Sequence, residues 1–167
     1  MTEAADVQEV QRVHEVQRVH EVRVQTADFD LSTEVAQLRA RDARVGAVVT
    51  FVGTVRDMND GASVAAMELE HYPGMTEQAV QTIVARARAR WPLFGALVIH
   101  RVGPLLPTEQ IVLVACTSAH RGDAFAACEF IIDFLKTEAP FWKKEQTPDG
   151  ARWVDARVSD DAALAKW

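Results

Sequence analysis

The sequence predicts one domain in which amphipathic helices pack on a β-sheet, on three grounds. Its 167 residues are 49% apolar, enough for one well-packed core and too few for two comfortable domains. Residues 46–57, Gly-Ala-Val-Val-Thr-Phe-Val-Gly-Thr-Val-Arg-Asp, alternate as a strand does: Ala47, Val49, Phe51, Gly53 and Val55 share one face, and Thr54 and Arg56 close the other. Two stretches carry helical spacing instead. Val80, Ile83, Val84, Ala87 and Trp91 recur within 75–91, with Arg86, Arg88 and Arg90 mostly outside; Ala124, Cys128, Ile131 and Leu135, with Phe125 and Ile132 beside them, run up to Lys136.

Taken in order, residues 9–20 are the hexapeptide Glu-Val-Gln-Arg-Val-His written twice, and a partial third copy starts at Glu21. Valines at every third position fit neither the period of a strand nor that of a sustained helical stripe, so residues 1–20 are expected to be a poorly ordered or loosely helical extension, separate from a domain spanning 21–167. Glu21 to Gln25 opens the domain as a first strand, and Leu31, Val35 and Leu38 mark a short helix to Arg41. After the strand at 46–57, the polar loop Met58-Asn-Asp-Gly61 turns the chain back into a return strand from Ser63 to Tyr72. Pro73-Gly74 precedes the helix at 75–91. Strands follow at Ala96–Val102 and Gln110–Ser118, joined by Gly103-Pro-Leu-Leu-Pro107. The last element is a short strand from Arg152 to Arg157, after the turn Thr147-Pro-Asp-Gly150.

The formal charge of −6 argues against a nucleic-acid surface, which needs a basic excess to displace counterions from phosphates. Local basic clusters still allow a small anionic ligand. No run approaches the ~20 apolar residues of a membrane span, and Met1-Thr-Glu-Ala-Ala-Asp lacks the basic-then-apolar pattern of an export signal. A soluble, cytoplasmic protein is therefore expected. Cys116 and Cys128 stand singly inside apolar patterns and read as core residues; no metal-ligand cluster and no cofactor motif is apparent.

The chemistry concentrates in Lys136-Thr-Glu-Ala-Pro-Phe-Trp-Lys-Lys-Glu145. Pro140 stops the preceding helix, which puts Lys136 in its last turn. Phe141 and Trp142 are expected to anchor the chain in a core and to hold Lys143 and Lys144 at a fixed distance from Lys136. Two readings stand side by side. Ammonium groups held close together beside buried aromatics disfavour each other's protonation, which makes a lysine a nucleophile or proton donor near neutral pH; alternatively, lysines near a helix C-terminus complement its dipole and stay solvated. A second cluster, Thr117-Ser-Ala-His-Arg-Gly-Asp123, sets His120 and Arg121 beside the free N–H groups of a helix start, an arrangement suited to a phosphate or carboxylate. Arg56, at its strand's end, is either a surface cap or an anion fork.

Five segments together, Gly46 to Arg56, Leu69-Glu-His-Tyr-Pro-Gly-Met75, Thr117 to Arg121, Lys136 to Glu145 and Arg152-Trp-Val-Asp155, resemble in order and spacing the large catalytic subunit of the molybdopterin synthase family over roughly residues 21–167. An ordered set of motifs is far more specific than any one of them. The resemblance implies an α+β fold of the α/β-hammerhead kind, with a mainly antiparallel sheet and packed helices. It implies a homodimer with one small ubiquitin-like subunit at each end, a heterotetramer overall. The small subunit's C-terminal Gly-Gly thiocarboxylate would enter a pocket and deliver sulfur, in two rounds, to cyclic pyranopterin monophosphate, giving the dithiolene of molybdopterin in molybdenum cofactor biosynthesis.

By the same resemblance Lys136 and Lys143 are the catalytic lysines. Thr54, Val55 and Arg56, His120 and Arg121, and Lys143, Lys144 and Glu145 match substrate-binding positions, and Arg157 matches a basic residue lent by a dimer partner. Lys144 stands where a common family variant has Arg, which keeps charge and loses bidentate geometry. The sulfur comes from the partner, so no cysteine of this chain need carry it. Two other readings fit the same lysines: a non-enzymatic adaptor that binds a ubiquitin-like tail, and a Schiff-base lysine enzyme acting without a protein partner.

Overall fold

Strand β8, Gln110–Ser118, lies between two antiparallel neighbours, β2 (Ala47–Thr54) and β6 (Leu93–Arg101), and the hydrophobic core is built on its two faces. The structure is a computed structural model that describes residues 22–154 and 158–167. β1 (Val22–Gln25) adds to the far side of β6 in parallel, Val24 opposite His100, so among the described residues the first sheet runs β1-β6-β8-β2 with β2 at one edge. Near-continuous burial along β8 follows from cover on both faces. Helices α2 (Met75–Arg90) and α3 (Arg121–Thr137) cover one face, where Val80, Ile83, Val98, Val114, Phe130 and Ile131 are almost fully buried. Helix α1 (Leu31–Ala40) covers the other through Leu38, against Leu97, Ile99 and Leu113. The apolar stripes of these helices are what the 3.6-residue period requires.

Local chemistry starts and stops each helix where the chain must turn. The Asp30 carboxylate caps α1 by accepting from the Thr33 N–H at 2.7 Å. The Glu77 carboxylate accepts from the Gly74 N–H at 2.6 Å at the head of α2, where the positive φ of +85° at position 74 favours glycine. Helix α3 ends with the Glu138 N–H donating to the Phe134 carbonyl at 2.8 Å, two residues before Pro140.

A second sheet, β10-β9-β5-β7, is antiparallel throughout: β5 is Ala66–His71, β7 is Gly103–Leu105, β9 is Phe141–Thr147 and β10 is Gly150–Val154. Val55, Met67, Leu69 and Leu105 form its small core, and Ile111 at the start of β8 packs against both this core and the main one. A short helix α4, Val158–Leu164, ends the fold. The α+β, mainly antiparallel architecture agrees with expectation; the first strand, helices α1 to α3 and the strand at 110–118 lie within a residue or so of where the patterns put them, whereas the last strand starts at Gly150 and helix α4 follows it where no element was expected.

Four expectations need correction. Residues 58–61 are not a plain loop: β3 (Met58–Asn59) and β4 (Ala62–Ser63) form a hairpin around Asp60 and Gly61, both at positive φ (51° and 77°), as a two-residue turn of the primed type demands. The return strand is therefore broken, with β4 and β5 separated at Val64 and Ala65. The linker after Val102 contains a strand, β7, whose edge position tolerates Pro104. Residues 141–147, expected only to anchor the chain, form the inner strand β9; its alternation buries part of Phe141 and leaves Trp142 47% exposed. Phe125 likewise faces outward from α3, 61% exposed. Cys116 and Cys128 are both buried in the core, as expected, and neither forms a disulfide. The extension at 1–20 lies outside the described residues.

Candidate active site

At the seam between the two sheets, the end of β2 meets the distant segment 136–145 around a cleft of ≈ 410 Å³. The end of β2 and the residues after it bring Thr54, Val55 and Arg56; the last turn of α3 brings Lys136; β9 brings Phe141, Lys143 and Glu145. Met67, Leu69, Ile111 and Leu135 form its apolar wall, and α4 brings Asp160 to it. Each lysine owes its position to a local rule. Pro140 ends α3 just beyond Lys136, and strand alternation in β9 turns positions 141, 143 and 145 toward the cleft together. The turn after α3 is held from outside its own segment: the Thr76 hydroxyl in α2 accepts from the Tyr72 N–H at 2.9 Å and donates to the Pro140 carbonyl at 3.0 Å.

Glu145 organises the polar end. Its side chain is 2% exposed and receives the Asn59 Nδ2–H at 2.8 Å. The Arg152 guanidinium lies at 3.1 Å and the Lys143 ammonium at 3.2 Å. Asn59 in turn accepts from the Arg56 guanidinium at 3.2 Å, so one buried carboxylate sets, directly or through Asn59, the geometry of three cations. Burial pushes the Glu145 carboxyl up, but Arg152, Lys143 and Asn59 outweigh burial and hold it below the ordinary carboxylate range. An anion entering from solvent meets Arg56 and Lys143 already oriented.

An aromatic–histidine stack also lines the cleft. His100, near the end of β6, stacks on Phe141 with ring centroids 3.7 Å apart and planes 16° from parallel. Burial lowers its pKa to about 4, and the positive charge of Lys136 and His71 nearby adds to that effect.

Of the residues singled out from the sequence, Thr54, Val55, Arg56, Lys136, Lys143 and Glu145 share this cleft. Lys144 does not. As the neighbour of Lys143 in a strand it projects from the opposite face, where its ammonium sits 5.5 Å from the centre of the Trp153 ring. His120 and Arg121 are exposed at the N-terminus of α3, and fifteen residues of helix, about 22 Å at 1.5 Å per residue, separate Arg121 from Lys136 at the other end. The expected convergence of Arg56, His120 and Arg121 therefore does not occur within one chain. Arg157 lies outside the described residues. Asn59, His100 and Arg152 were not foreseen as parts of the site: Asn59 reads as a turn residue and His100 as an ordinary strand residue, and Arg152, although inside a noted motif, carried no assigned role. Among the described residues no three His, Cys, Asp or Glu side chains gather in a way that would hold a metal ion, and no helix is long and apolar enough to cross a membrane.

Known proteins resemble this chain in sequence and in fold. The family model described as "MoaE protein" matches residues 24–138. The molybdopterin synthase catalytic subunit of Ralstonia nicotianae is 68% identical over 146 residues, 87% of this chain and 83% of that protein. Among solved structures, the molybdopterin biosynthesis MoaE protein from Burkholderia ambifaria superposes with a TM-score of 0.76 at 65% identity, covering 87% of this chain and 96% of its own. Molybdopterin synthase from Staphylococcus aureus reaches 0.74 at 32% identity, covering 80% and 96%.

Proposed function

The chain belongs to the MoaE family of molybdopterin synthase catalytic subunits, and from that premise we propose that its cleft is where the C-terminal thiocarboxylate of a small ubiquitin-like subunit passes sulfur to cyclic pyranopterin monophosphate, in two rounds, to form the dithiolene of molybdopterin. The observation that supports this best is the meeting of Arg56 with Lys136 and Lys143, from two motifs far apart in the chain, on one cleft with an apolar wall. Substrate phosphate and thiocarboxylate both bring negative charge. Arg56 and Lys143, oriented through Asn59 and Glu145, supply the fixed positive side, and Lys136 at the helix end supplies a proton to oxygen as it leaves the pterin side chain. Glu145 serves by holding those cations, since its own oxygens already have partners.

His120 and Arg121 fit this reading in a homodimer. Among the described residues β2 is an edge strand, half-exposed Phe51 stands at its middle, and exposed Phe125 lies on the helix that covers it. Two copies joined antiparallel along that edge would bring the start of one β2, with His120 and Arg121 above it, to the end of the other, beside Arg56 and Lys136. Each cleft would then be completed by its neighbour, with Arg157 a further candidate for the shared side. With a small subunit on each cleft the assembly is a heterotetramer, working in the cytoplasm.

The test is direct. The purified chain is mixed with thiocarboxylated small subunit and cyclic pyranopterin monophosphate, and dithiolene-bearing pterin is measured. Product is expected with the natural chain and a fall of about 10²-fold or more with Lys136→Ala, at unchanged small-subunit binding. Binding without turnover by the natural chain would instead identify an adaptor, and turnover of a carbonyl substrate without any small subunit would identify a Schiff-base enzyme.

A further inference from the structure

His100 has a chemical state set by its surroundings. Its Nδ1 lies 2.9 Å from the Arg101 carbonyl oxygen. A carbonyl only accepts, so Nδ1 carries the hydrogen and Nε2 keeps a lone pair. The stack on Phe141 holds the ring plane. The strands beside His100 bring no charge, since Val24 of β1 and Val112 of β8 stand opposite it. The titratable groups that do face it are Lys136 from the end of α3 and His71 from β5, the latter 3.7 Å from Glu77. Lys143, Glu145 and Asp160 line the rest of the same cleft. Burial, with the positive charge of Lys136 adding to it, keeps the imidazole neutral at any pH well above 4.

A neutral imidazole with one committed N–H offers the cleft a single acceptor, and the Lys136 ammonium lining the same cleft has three donors. We infer that His100 is a positioning residue for Lys136, its Nε2 accepting a hydrogen bond from the ammonium and aiming the remaining N–H groups at the substrate oxygen. This rests on the reading of Lys136 as the proton donor. The bond also favours the charged form of the lysine, because a hydrogen bond made to one protonation state stabilises that state.

Three measurements on the full-length chain with its thiocarboxylated small subunit test this. His100→Phe keeps a flat ring on Phe141 and removes both nitrogens; kcat is expected to fall about 10- to 100-fold with KM within about twofold. The basic limb of the kcat–pH profile should move to lower pH, since the ammonium loses an acceptor and gains an apolar neighbour. His100→Gln, whose amide oxygen reaches where Nε2 was, should recover kcat to within about fivefold of the natural chain and restore the limb. Independently of activity, ¹⁵N NMR of the imidazole should show an Nδ1–H tautomer whose Nε2 resonance and pKa both rise in Lys136→Met, which removes a donor and a positive charge. Natural kcat in His100→Phe, equal loss in the Phe and Gln variants, or an Nε2 resonance that ignores Lys136→Met would each overturn the inference. Turnover retained by Lys136→Ala would instead sink the proton-donor reading, and the NMR comparison would still decide whether the contact exists.

Discussion

Lys143 and Lys144 are chemically alike and adjacent, and the difference between them is geometric. A strand sends consecutive side chains to opposite faces, so Lys143 enters the cleft and Lys144 lies against Trp153 on the outer face of the second sheet. Lys143→Ala should therefore lower kcat/KM by about tenfold or more, and Lys144→Ala should leave it within about threefold, in the same dithiolene assay. Equal losses would mean that both lysines reach the substrate. Glu145 allows a prediction of stability. Its folded pKa lies below the unfolded value of 4.5, so its contribution is full above about pH 4.5 and disappears as pH falls through the folded value. Glu145→Gln should cost about 1–3 kcal/mol at pH 7, and chemical denaturation should show the gap to the natural chain closing in acid. A gap independent of pH would exclude the carboxylate charge as its source.

At the scale of elements, α3 determines what one chain can do alone. It carries Lys136 at its C-terminal end and presents His120 and Arg121 at the other, with the main core packed along the turns between. A rigid helix keeps those groups apart however the loops move. The segment that follows α3 is held by α2 through Thr76, whose hydroxyl is buried between the Tyr72 N–H and the Pro140 carbonyl. Thr76→Val keeps the shape and leaves both partners unsatisfied, so it should destabilise by about 1–3 kcal/mol. Because the lost bond ends at Pro140, between Lys136 and Lys143, kcat should fall as well. Normal kcat at reduced stability would restrict Thr76 to a structural role.

At the scale of the whole molecule, the separation of Arg121 from Lys136 makes a dimer testable by mixing. An Arg121→Ala chain and a Lys136→Ala chain are each expected to be poorly active at substrate concentrations below KM. If clefts are completed across the dimer, the mixed dimer gathers both defects in one cleft and leaves the other intact, so mixing should restore activity. No recovery, with subunit exchange verified by mass, would assign Arg121 to its own chain or to no cleft. The same cross with Arg157→Ala asks the question of that residue. Removing residues 1–20 should leave activity and melting temperature within experimental error, because the family match begins at residue 24 and every described wall of the cleft lies beyond residue 53. A marked loss in the truncated chain would give the hexapeptide repeat a structural role.

The sequence by itself determined the elements whose signal is periodic or punctuated: the helices at 75–90 and 121–137, the strand at 110–118, the stop at Pro140, and with them the identities of Arg56, Lys136, Lys143 and Glu145 as a set. Apolar periodicity and a proline act within a few residues, so they are visible without a fold. Tertiary structure alone decided which of those residues share a cleft. Asn59 is a turn residue by sequence and becomes a buried donor because a two-residue hairpin sets it against Glu145, 86 positions away; His100 gains its state from Phe141 and Lys136, which come from other elements. Strand β9 was hidden because its pattern mixes aromatics and charges, and only pairing with β5 and β10 makes it a strand. His120 and Arg121 share their helix with Lys136 and still lie far from its cleft, because a helix that fixes the separation of its two ends leaves only a second copy of the chain to close it.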